Sequence, residues 1–174
     1  MSVLKFKDQN IIKNTSLSTN FMAREFSCKH CGEVVVDTNM VENLQNLRTS
    51  LGVPIYITSA YRCLTHNRNV GSKDTSTHVS GQAVDFYLQY KRNGYQVFLE
   101  ATKYFNGVGF YQSGVNPKNS YIHVDTRSEK LYWLSWLQKS QSRSKRVYIY
   151  FQNLDNMYAY MKKDTKIDWF NLVI

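Results

Sequence analysis

The chain has 174 residues and a formal net charge of +9, and 43% of its residues are hydrophobic. This length fits one domain with its own core, and the composition excludes a disordered chain. No apolar run approaches the ~18 residues of a membrane-spanning helix, and the N-terminus lacks the apolar segment of a secretory signal. We therefore expect a globular protein, synthesised in the cytoplasm without a signal peptide. Its charge would attract polyanions, either nucleic acid or an anionic bacterial cell wall.

Two helices are predicted before the first strand. Residues 1–17 are polar and are expected to form an arm. Residues 18–27 offer a Ser/Thr cap followed by a short helix, which would turn Phe21 and Phe26 inward. Residues 37–51 give the clearest helix, because apolar residues recur at helical spacing between an Asp/Thr cap and a glycine.

The middle of the chain predicts strands, one further helix and two polar connections. Strands are expected at 53–59, 81–88, 107–112 and 120–127, a helix at 94–105, a polar loop or short helix at 66–77, and a turn at 113–119. Helices first and strands later predict an α+β fold, in which helices pack on one side of a small antiparallel sheet.

The composition changes after Trp136. Residues 137–146 are polar and basic and predict a linker, and residues 147–151 predict a short strand before a tail rich in Tyr and Lys. A segment of this length is too short to bury a core of its own. We therefore expect residues 137–174 to be a C-terminal appendage.

Two short stretches, STHVSGQAVDF at 76–86 and YIHVDTR at 121–127, each place a histidine near an aspartate. Side chains alternate between the two faces of a strand. Asp85 therefore points away from the apolar face of its strand, and His123 points away from the apolar face of the second. If these strands are neighbours, the two side chains meet in one cleft.

His78 lies on the loop that enters the first of these strands, and Gly81 allows that loop to turn tightly back over the sheet. Two imidazoles and a carboxylate, from His78, Asp85 and His123, would then converge on one metal ion. Catalytic zinc usually takes three protein ligands and keeps a position for water, whose pKa it lowers to about 7. Taken alone, the spacing is also compatible with ordinary polar residues near strand ends.

The same segments resemble a known enzyme family. STHVSGQAVD is similar to the Ser-x-His-x-x-Gly-x-Ala-x-Asp signature of the zinc D-Ala-D-Ala carboxypeptidases and L-Ala-D-Glu endopeptidases, and YIHVDTR resembles their second zinc-binding strand. NFMAREFSCKHCG and LGVPIYITS resemble the opening of their peptidase domain, and ITSAYRCLTHNRNVG resembles the segment with their substrate-binding arginine. GVGFYQSG is similar to the corresponding segment of a subgroup that includes murein endopeptidases and phage-encoded enzymes. The resemblance covers about residues 17–136.

The resemblance implies a zinc peptidase domain of the hedgehog/DD-peptidase fold at residues 18–136. It implies one catalytic Zn²⁺, held by His78, Asp85 and His123. It also implies that the substrate is the stem peptide of peptidoglycan.

Further site residues follow from the resemblance. Arg62 would hold a substrate carboxylate or carbonyl, which suits its planar guanidinium, and Ser76 would orient a ligand or the substrate. Many members carry an acidic residue or a histidine two or three positions before the last zinc ligand as the general base. Here these positions are Ser120 and Tyr121, and neither is a base at neutral pH. We expect Tyr121 to contact substrate and Asp125 to be either the base or a partner that orients the ligands.

The three cysteines form two pairs that include histidine, CKHC and CLTH. Cys28, Cys31, Cys63 and His66 together have the donor set of a Cys₃His structural zinc site. The alternatives are reduced thiols, or one disulfide beside a free cysteine.

Three functions are compatible with these features. The first is a zinc peptidase that hydrolyses peptide bonds in peptidoglycan, as an endopeptidase or a DD-carboxypeptidase, and the expected setting is bacteriophage lysis. The second is a zinc-containing wall-binding module with weak catalysis, since hedgehog domains use the fold in that way. The third is nucleic-acid binding, suggested by charge and by the aromatic residues of SRSKRVYIYF, although no recognised nucleic-acid module is present.

Overall fold

The computed structural model describes residues 2–89, 91–112, 120–139, 144–172 and 174. The described residues form five α-helices and ten β-strands, so the fold is mixed α and β. None of the described helices is long and apolar enough to cross a membrane. The predicted turn at 113–119 lies outside the described residues.

The strands and helices are numbered in chain order. The strands are Val3–Phe6 (β1), Ser16–Ser18 (β2), Phe21–Met22 (β3), Val34–Asp37 (β4), Ile55–Ser59 (β5), Ala83–Leu88 (β6), Gly107–Tyr111 (β7), Tyr121–Asp125 (β8), Leu131–Lys139 (β9) and Ser144–Phe151 (β10). The helices are Gln9–Asn14 (α1), Thr38–Leu51 (α2), Leu64–Asn69 (α3), Gly94–Ala101 (α4) and Leu154–Lys163 (α5), and Ala23–Phe26 forms a 3₁₀ turn.

The central sheet has six strands in the order β10-β9-β7-β8-β6-β5. The expected antiparallel sheet is corrected at one position, because β7 and β9 are parallel. The connection at 126–130 reverses the chain after β8 and carries it past β7, so β9 runs opposite to β8 and parallel to β7. The assignment to the hedgehog/DD-peptidase type stays a prediction.

One face of the sheet forms the core with the helices. In β6 the side chains of Val84, Phe86 and Leu88 are buried on this face, as the alternation predicts. Phe98 of α4 stacks on Phe110 of β7 with ring centroids 6.4 Å apart. The opposite face is therefore left to carry the polar residues of β6 and β8.

Helix α2 forms as predicted. The side chain of Asp37 accepts a hydrogen bond from the backbone N–H of Asn39 and caps the first turn. Met40, Leu44 and Leu47 recur at helical spacing and are fully buried. The helix thus supplies one wall of the core.

The N-terminal segment departs from the expected arm. Strand β1 pairs with β4, and Ile12 of α1 is buried, so the described residues 2–17 are folded against the rest of the chain. The short helix expected at 18–27 is replaced by the β2–β3 pair and a 3₁₀ turn. The physical reason lies far away in sequence: the side-chain oxygen of Gln45 in α2 accepts hydrogen bonds from Ser18 and from the backbone of Asn20.

The C-terminal segment also differs from the predicted linker and tail. Strands β9 and β10 pair antiparallel from Lys139↔Ser144 to Tyr132↔Phe151, so most of the predicted linker is strand. Trp169 is fully buried, and its ring lies 5.7 Å from that of Phe110. The division at residue 137 stays a prediction about independent units, but the structure joins this segment to the central sheet and core.

We predict that Trp169→Ala costs about 3–5 kcal/mol of unfolding free energy, because it leaves a large cavity in the core. Urea denaturation followed by circular dichroism measures this loss. Lys166→Ala, at an exposed position of the same segment, serves as the control and is expected to change stability by less than about 0.5 kcal/mol. Equal stability of wild type and Trp169→Ala would show that the segment is a separate appendage.

Candidate metal centre

The pairing of β6 with β8 brings two of the three predicted ligands together. The two strands are antiparallel neighbours, and Asp85 lies directly opposite His123. Side chains at such opposed positions share one face of the sheet and are close enough to interact. The condition stated from the sequence, that the two strands are adjacent, is met.

A tight turn delivers the third predicted ligand. Gly81 has a φ of +74°, the left-handed conformation that glycine adopts readily, and its N–H donates to the carbonyl of His78. A Cβ at this position would lie 2.4 Å from the carbonyl oxygen of Val35. Backbone conformation and close packing both require glycine here, and the turn places His78 over the site face of the sheet.

The three predicted ligands form one compact group. His78, Asp85 and His123 are all buried, and each offers a donor atom within 4.8 Å of the other two. His123 Nδ1 lies 2.8 Å from Asp85 Oδ1, and His78 Nε2 lies 3.4 Å from Asp85 Oδ2. Two imidazoles and one carboxylate at these distances have the composition of a three-ligand zinc site.

Hydrogen bonds outside this group orient both imidazoles. His78 Nδ1 lies 2.6 Å from the carbonyl oxygen of Ala60 and donates to it, which leaves the Nε2 lone pair directed at Asp85. His123 Nε2 lies 3.1 Å from Asp125 Oδ2 and donates there, so Nδ1 faces Asp85. Such partners fix the ring orientation and tautomer of metal-binding histidines. The residues present therefore fit a zinc ion.

The charges of the group also suit a cation. Burial would raise the pKa of Asp85, but His78 and His123 outweigh it and hold that pKa well below its usual value. Burial lowers the pKa of His78, which keeps this ring neutral. Burial would also lower the pKa of His123, but hydrogen bonds to Asp125 and Asp85 raise it to about 9. A metal ion at Nδ1 of His123 must replace that proton.

Arg62 and Ser76 lie beside the ligands. Arg62 Nη2 donates to Asp85 Oδ2 at 2.6 Å and lies 3.2 Å from His78 Nε2, while its Nε donates to Ser59 Oγ. Ser76 Oγ accepts a hydrogen bond from the backbone N–H of His78. The predicted contact of Arg62 with substrate stays a prediction. The hydrogen bond to Ser76 supports a role for this residue in orienting the loop that carries His78.

Asp125 is fully buried, and both of its oxygens are engaged. Arg127 Nε donates to Oδ1 at 2.7 Å and Arg127 Nη2 donates to Oδ2 at 2.5 Å, beside the bond from His123. Burial would raise the pKa of Asp125, but these partners lower it. Of the two roles predicted for Asp125, this geometry favours the partner that orients His123 over the general base.

An open cleft of about 870 Å³ lies above the ligands. Its floor contains His78, Asp85 and His123, and aromatic residues form one side. Tyr121 stacks on Tyr111 with ring centroids 4.5 Å apart, which places the predicted substrate contact in this aromatic wall.

Sequence reasoning missed most of the wall. The missed cleft residues are Tyr111, Arg127, Trp133, Arg146, Tyr148 and Tyr150. The signal was the alternation within β9 and β10, which directs every second side chain to the site face once these segments are recognised as strands.

The GVG motif of β7 has a packing reason. A Cβ at Gly109 would lie 2.2 Å from the ring of Trp133, and a Cβ at Gly107 would lie 2.1 Å from Asp125 Oδ1. Neither ring nor carboxylate has room to move, because Trp133 donates a hydrogen bond to Tyr111 and Asp125 is held by its partners. The two glycines therefore leave room beside β7 for the Trp133 ring, which lines the cleft, and for the buried Asp125 carboxylate.

The cysteine pairs also come together. Donor atoms of Cys28, Cys31 and Cys63 lie within 4.8 Å of one another, and His66 Nδ1 lies 3.4 Å from Cys28 Sγ. Burial would raise the pKa of Cys28. Hydrogen bonds from backbone N–H groups and from the side chain of His66 outweigh burial and lower this pKa to about 6. Burial raises the pKa of Cys31 to about 11, with further contributions from the other two cysteines.

The ligand set at the floor of an open cleft is that of a zinc hydrolase. A family model for Peptidase M15 matches residues 13–125, which is more than half of the chain. The chain therefore belongs to the Peptidase M15 family, the zinc peptidases that resemble D-Ala-D-Ala carboxypeptidases. The matched range includes all three predicted ligands and ends at β8. A search of the curated proteins found no match.

We predict that Asp125→Asn weakens zinc binding about 10–100-fold, because an amide orients the His123 ring less well than a carboxylate. Competition with a chromophoric chelator at fixed pH measures the affinity. Asp74→Asn is the matched control, since Asp74 is an exposed carboxylate paired with Arg68. Unchanged zinc affinity in Asp125→Asn would point back to Asp125 as a base.

Proposed function

We propose that this protein is a zinc-dependent peptidase that hydrolyses peptide bonds in the stem peptides of bacterial peptidoglycan. The observation that carries the proposal is the convergence of His78, Asp85 and His123 at the floor of an open cleft, within the range matched by a peptidase family. Peptidases of this family are zinc-dependent, and the donor set of this chain fits that ion.

The ligands and their partners would form a rigid base for the reaction. The zinc ion, when bound, supplies a Lewis acid that polarises the peptide carbonyl. His78 and His123 are each fixed through their second nitrogen, so the positions of the ligand atoms do not depend on the substrate. Such preorganisation lowers the cost of reaching the transition state.

The cleft is suited to an extended, acidic peptide. Cationic side chains line it at several positions: Lys29, Arg62, Lys73, Arg127 and Arg146. A guanidinium binds a carboxylate in bidentate fashion, and stem peptides carry carboxylates on D-Glu and at the C-terminus. We assign Arg62 to this contact because it lies closest to the ligands, at 2.6 Å from Asp85.

The aromatic wall would hold the substrate above the ligands. Tyr111 and Tyr121 are stacked, and Trp133 donates a hydrogen bond to the hydroxyl of Tyr111. Tyr148 projects from β10 with 43% of its surface exposed. Rigid aromatic side chains provide a large contact area at low entropic cost.

One observation favours a second candidate function, a zinc-containing wall-binding module with weak catalysis. Among the described residues that line the cleft, Asp85 is the only carboxylate. Asp125 is fully buried against Arg127, so neither supplies a free general base. The same cleft and ligands would then bind a stem peptide without rapid hydrolysis.

We extend the proposal to the setting of bacteriophage lysis, on the resemblance of the GVGFYQSG segment to phage-encoded members. The net charge of +9 would help to hold the protein on an anionic wall. Nucleic-acid binding is supported only by the charge and by the aromatic residues of SRSKRVYIYF, so we do not propose it.

We predict that the purified, zinc-loaded protein releases peptides from isolated peptidoglycan, and that mass spectrometry of the products identifies the bond. Chelation is expected to stop release and added zinc to restore it, while His123→Ala stays inactive because a ligand is missing. If the wild-type protein co-sediments with isolated peptidoglycan but releases no peptide at any pH between about 6 and 9, the result would favour the binding module over the peptidase.

A separate prediction concerns the aromatic wall. Tyr148→Ala is expected to raise KM about two- to tenfold with little change in kcat, because it removes apolar contact with the substrate worth about 0.5–1.5 kcal/mol at about 25 cal/mol per Å² of buried area. Tyr158→Ala on α5 is the matched control, since both tyrosines are 43% exposed and only Tyr148 lines the cleft. Steady-state kinetics on a defined muropeptide make the comparison. Equal KM values for the two variants would show that Tyr148 does not contact the substrate.

A further inference from the structure

A second group of metal-binding side chains lies apart from the catalytic ligands. Cys28 and Cys31 follow the 3₁₀ turn Ala23–Phe26, and Cys63 and His66 begin helix α3. More than 30 residues of chain separate the two pairs, yet Cys28 and His66 are in contact. The fold therefore assembles this group from two distant segments.

The distances are compatible with binding of one metal ion. The three sulfur atoms lie within 4.8 Å of one another, and His66 Nδ1 lies 3.4 Å from Cys28 Sγ. A zinc ion with Zn–S of about 2.3 Å and Zn–N of about 2.0–2.1 Å places sulfur and nitrogen ligands about 3.6 Å apart. The three sulfur atoms are close enough to share one ion, and His66 reaches this group through its contact with Cys28.

Backbone N–H groups point at the sulfur atoms. Cys63 N–H donates to Cys28 Sγ at 3.4 Å, and His66 N–H donates to Cys63 Sγ at 3.5 Å. The N–H groups of His30 and Cys31 are also directed at Cys28. Such bonds stabilise negative charge on sulfur, and thiolate is the form that binds metal.

Alternative roles account for less of this geometry. A disulfide would join two of the three cysteines, and it would not explain why the third cysteine and His66 lie beside them. Packing as small apolar side chains suits Cys28, which is buried, but not Cys31, which is exposed. A metal ion would use all three sulfur atoms together with the His66 nitrogen that contacts Cys28.

We propose that Cys28, Cys31, Cys63 and His66 bind a structural zinc ion that is distinct from the catalytic one. Its role would be to join the segment after the 3₁₀ turn to the start of α3.

The ion would fix one rim of the cleft. Cys63 directly follows Arg62, and Lys29 and His66 line the cleft themselves. The backbone N–H of Tyr61 donates to the carbonyl of Phe26. The segment before the first cysteine pair and the segment before Cys63 are therefore already in contact. Ordering both cysteine pairs around one ion would hold Arg62 in place beside Asp85.

The first test measures metal in the full-length protein without any substrate, so its outcome is independent of the proposed peptidase activity. We expect about two zinc equivalents per chain by elemental analysis. After cobalt substitution we expect a sulfur-to-cobalt charge-transfer band in the near ultraviolet, which the His78, Asp85 and His123 site cannot produce because it has no thiolate. One equivalent without this band, or a disulfide found by alkylation and mass spectrometry, would overturn the proposal.

Variants identify the ligands. Cys31→Ser changes an exposed side chain, and it is expected to lose the charge-transfer band and one equivalent of zinc while the catalytic site keeps its own. His66→Ala is expected to lose the same equivalent, whereas His30→Ala, whose ring lies 3.5 Å from Cys63 Sγ, is the matched control and should keep both. Loss of zinc in His30→Ala but not in His66→Ala would overturn the assignment of the fourth ligand.

Discussion

The pairing of β6 with β8 is the constraint on which the candidate site depends. It sets Asp85 opposite His123 on the face of the sheet away from the core. A shift of one residue in this pairing would turn one partner toward the core and separate the two donor atoms. The register is held by Val84, Phe86, Ile122 and Val124, whose burial on the other face would be lost in the same shift. Hydrophobic burial on one face therefore specifies the polar geometry on the other.

Around this pair, the chain fixes each imidazole through a different kind of contact. His78 is held by a backbone carbonyl and a glycine turn, which do not titrate, whereas His123 is held by the buried pair of Asp125 with Arg127. Arg62 adds a charge beside His78 and Asp85, so charged groups lie on both sides of the ligand group. Cys63 of the cysteine cluster directly follows Arg62 in the chain, so this arginine is linked to both groups of candidate metal ligands: through the backbone to one and through its contact with Asp85 to the other.

Sequence predicted those parts of the structure that are set by local pattern. Helix α2, strand β6 and the orientation of Asp85 and His123 follow from periodicity, and the ligand group follows once the strands are paired. The β2–β3 pair was missed because Gln45 holds it from another helix. The end of β9 and the start of β10 were assigned to a linker because residues 137–146 are polar and basic like a loop, whereas residues 147–151 of β10 were predicted as a strand; pairing of β9 with β10 and with β7 extends both strands.

The aromatic wall comes from two sources. Tyr111 and Tyr121 lie on strands that also carry or flank the ligands, whereas Trp133, Tyr148 and Tyr150 lie on β9 and β10, beyond the range matched by the family. Trp133 lies against the ring of His123, with centroids 5.0 Å apart, whereas Tyr148 and Tyr150 are more exposed and lie on the edge strand β10. Under the proposed function, substitutions at Tyr148 and Tyr150 would therefore alter the wall at its outer edge, while a substitution at Trp133 would also reach the His123 ring.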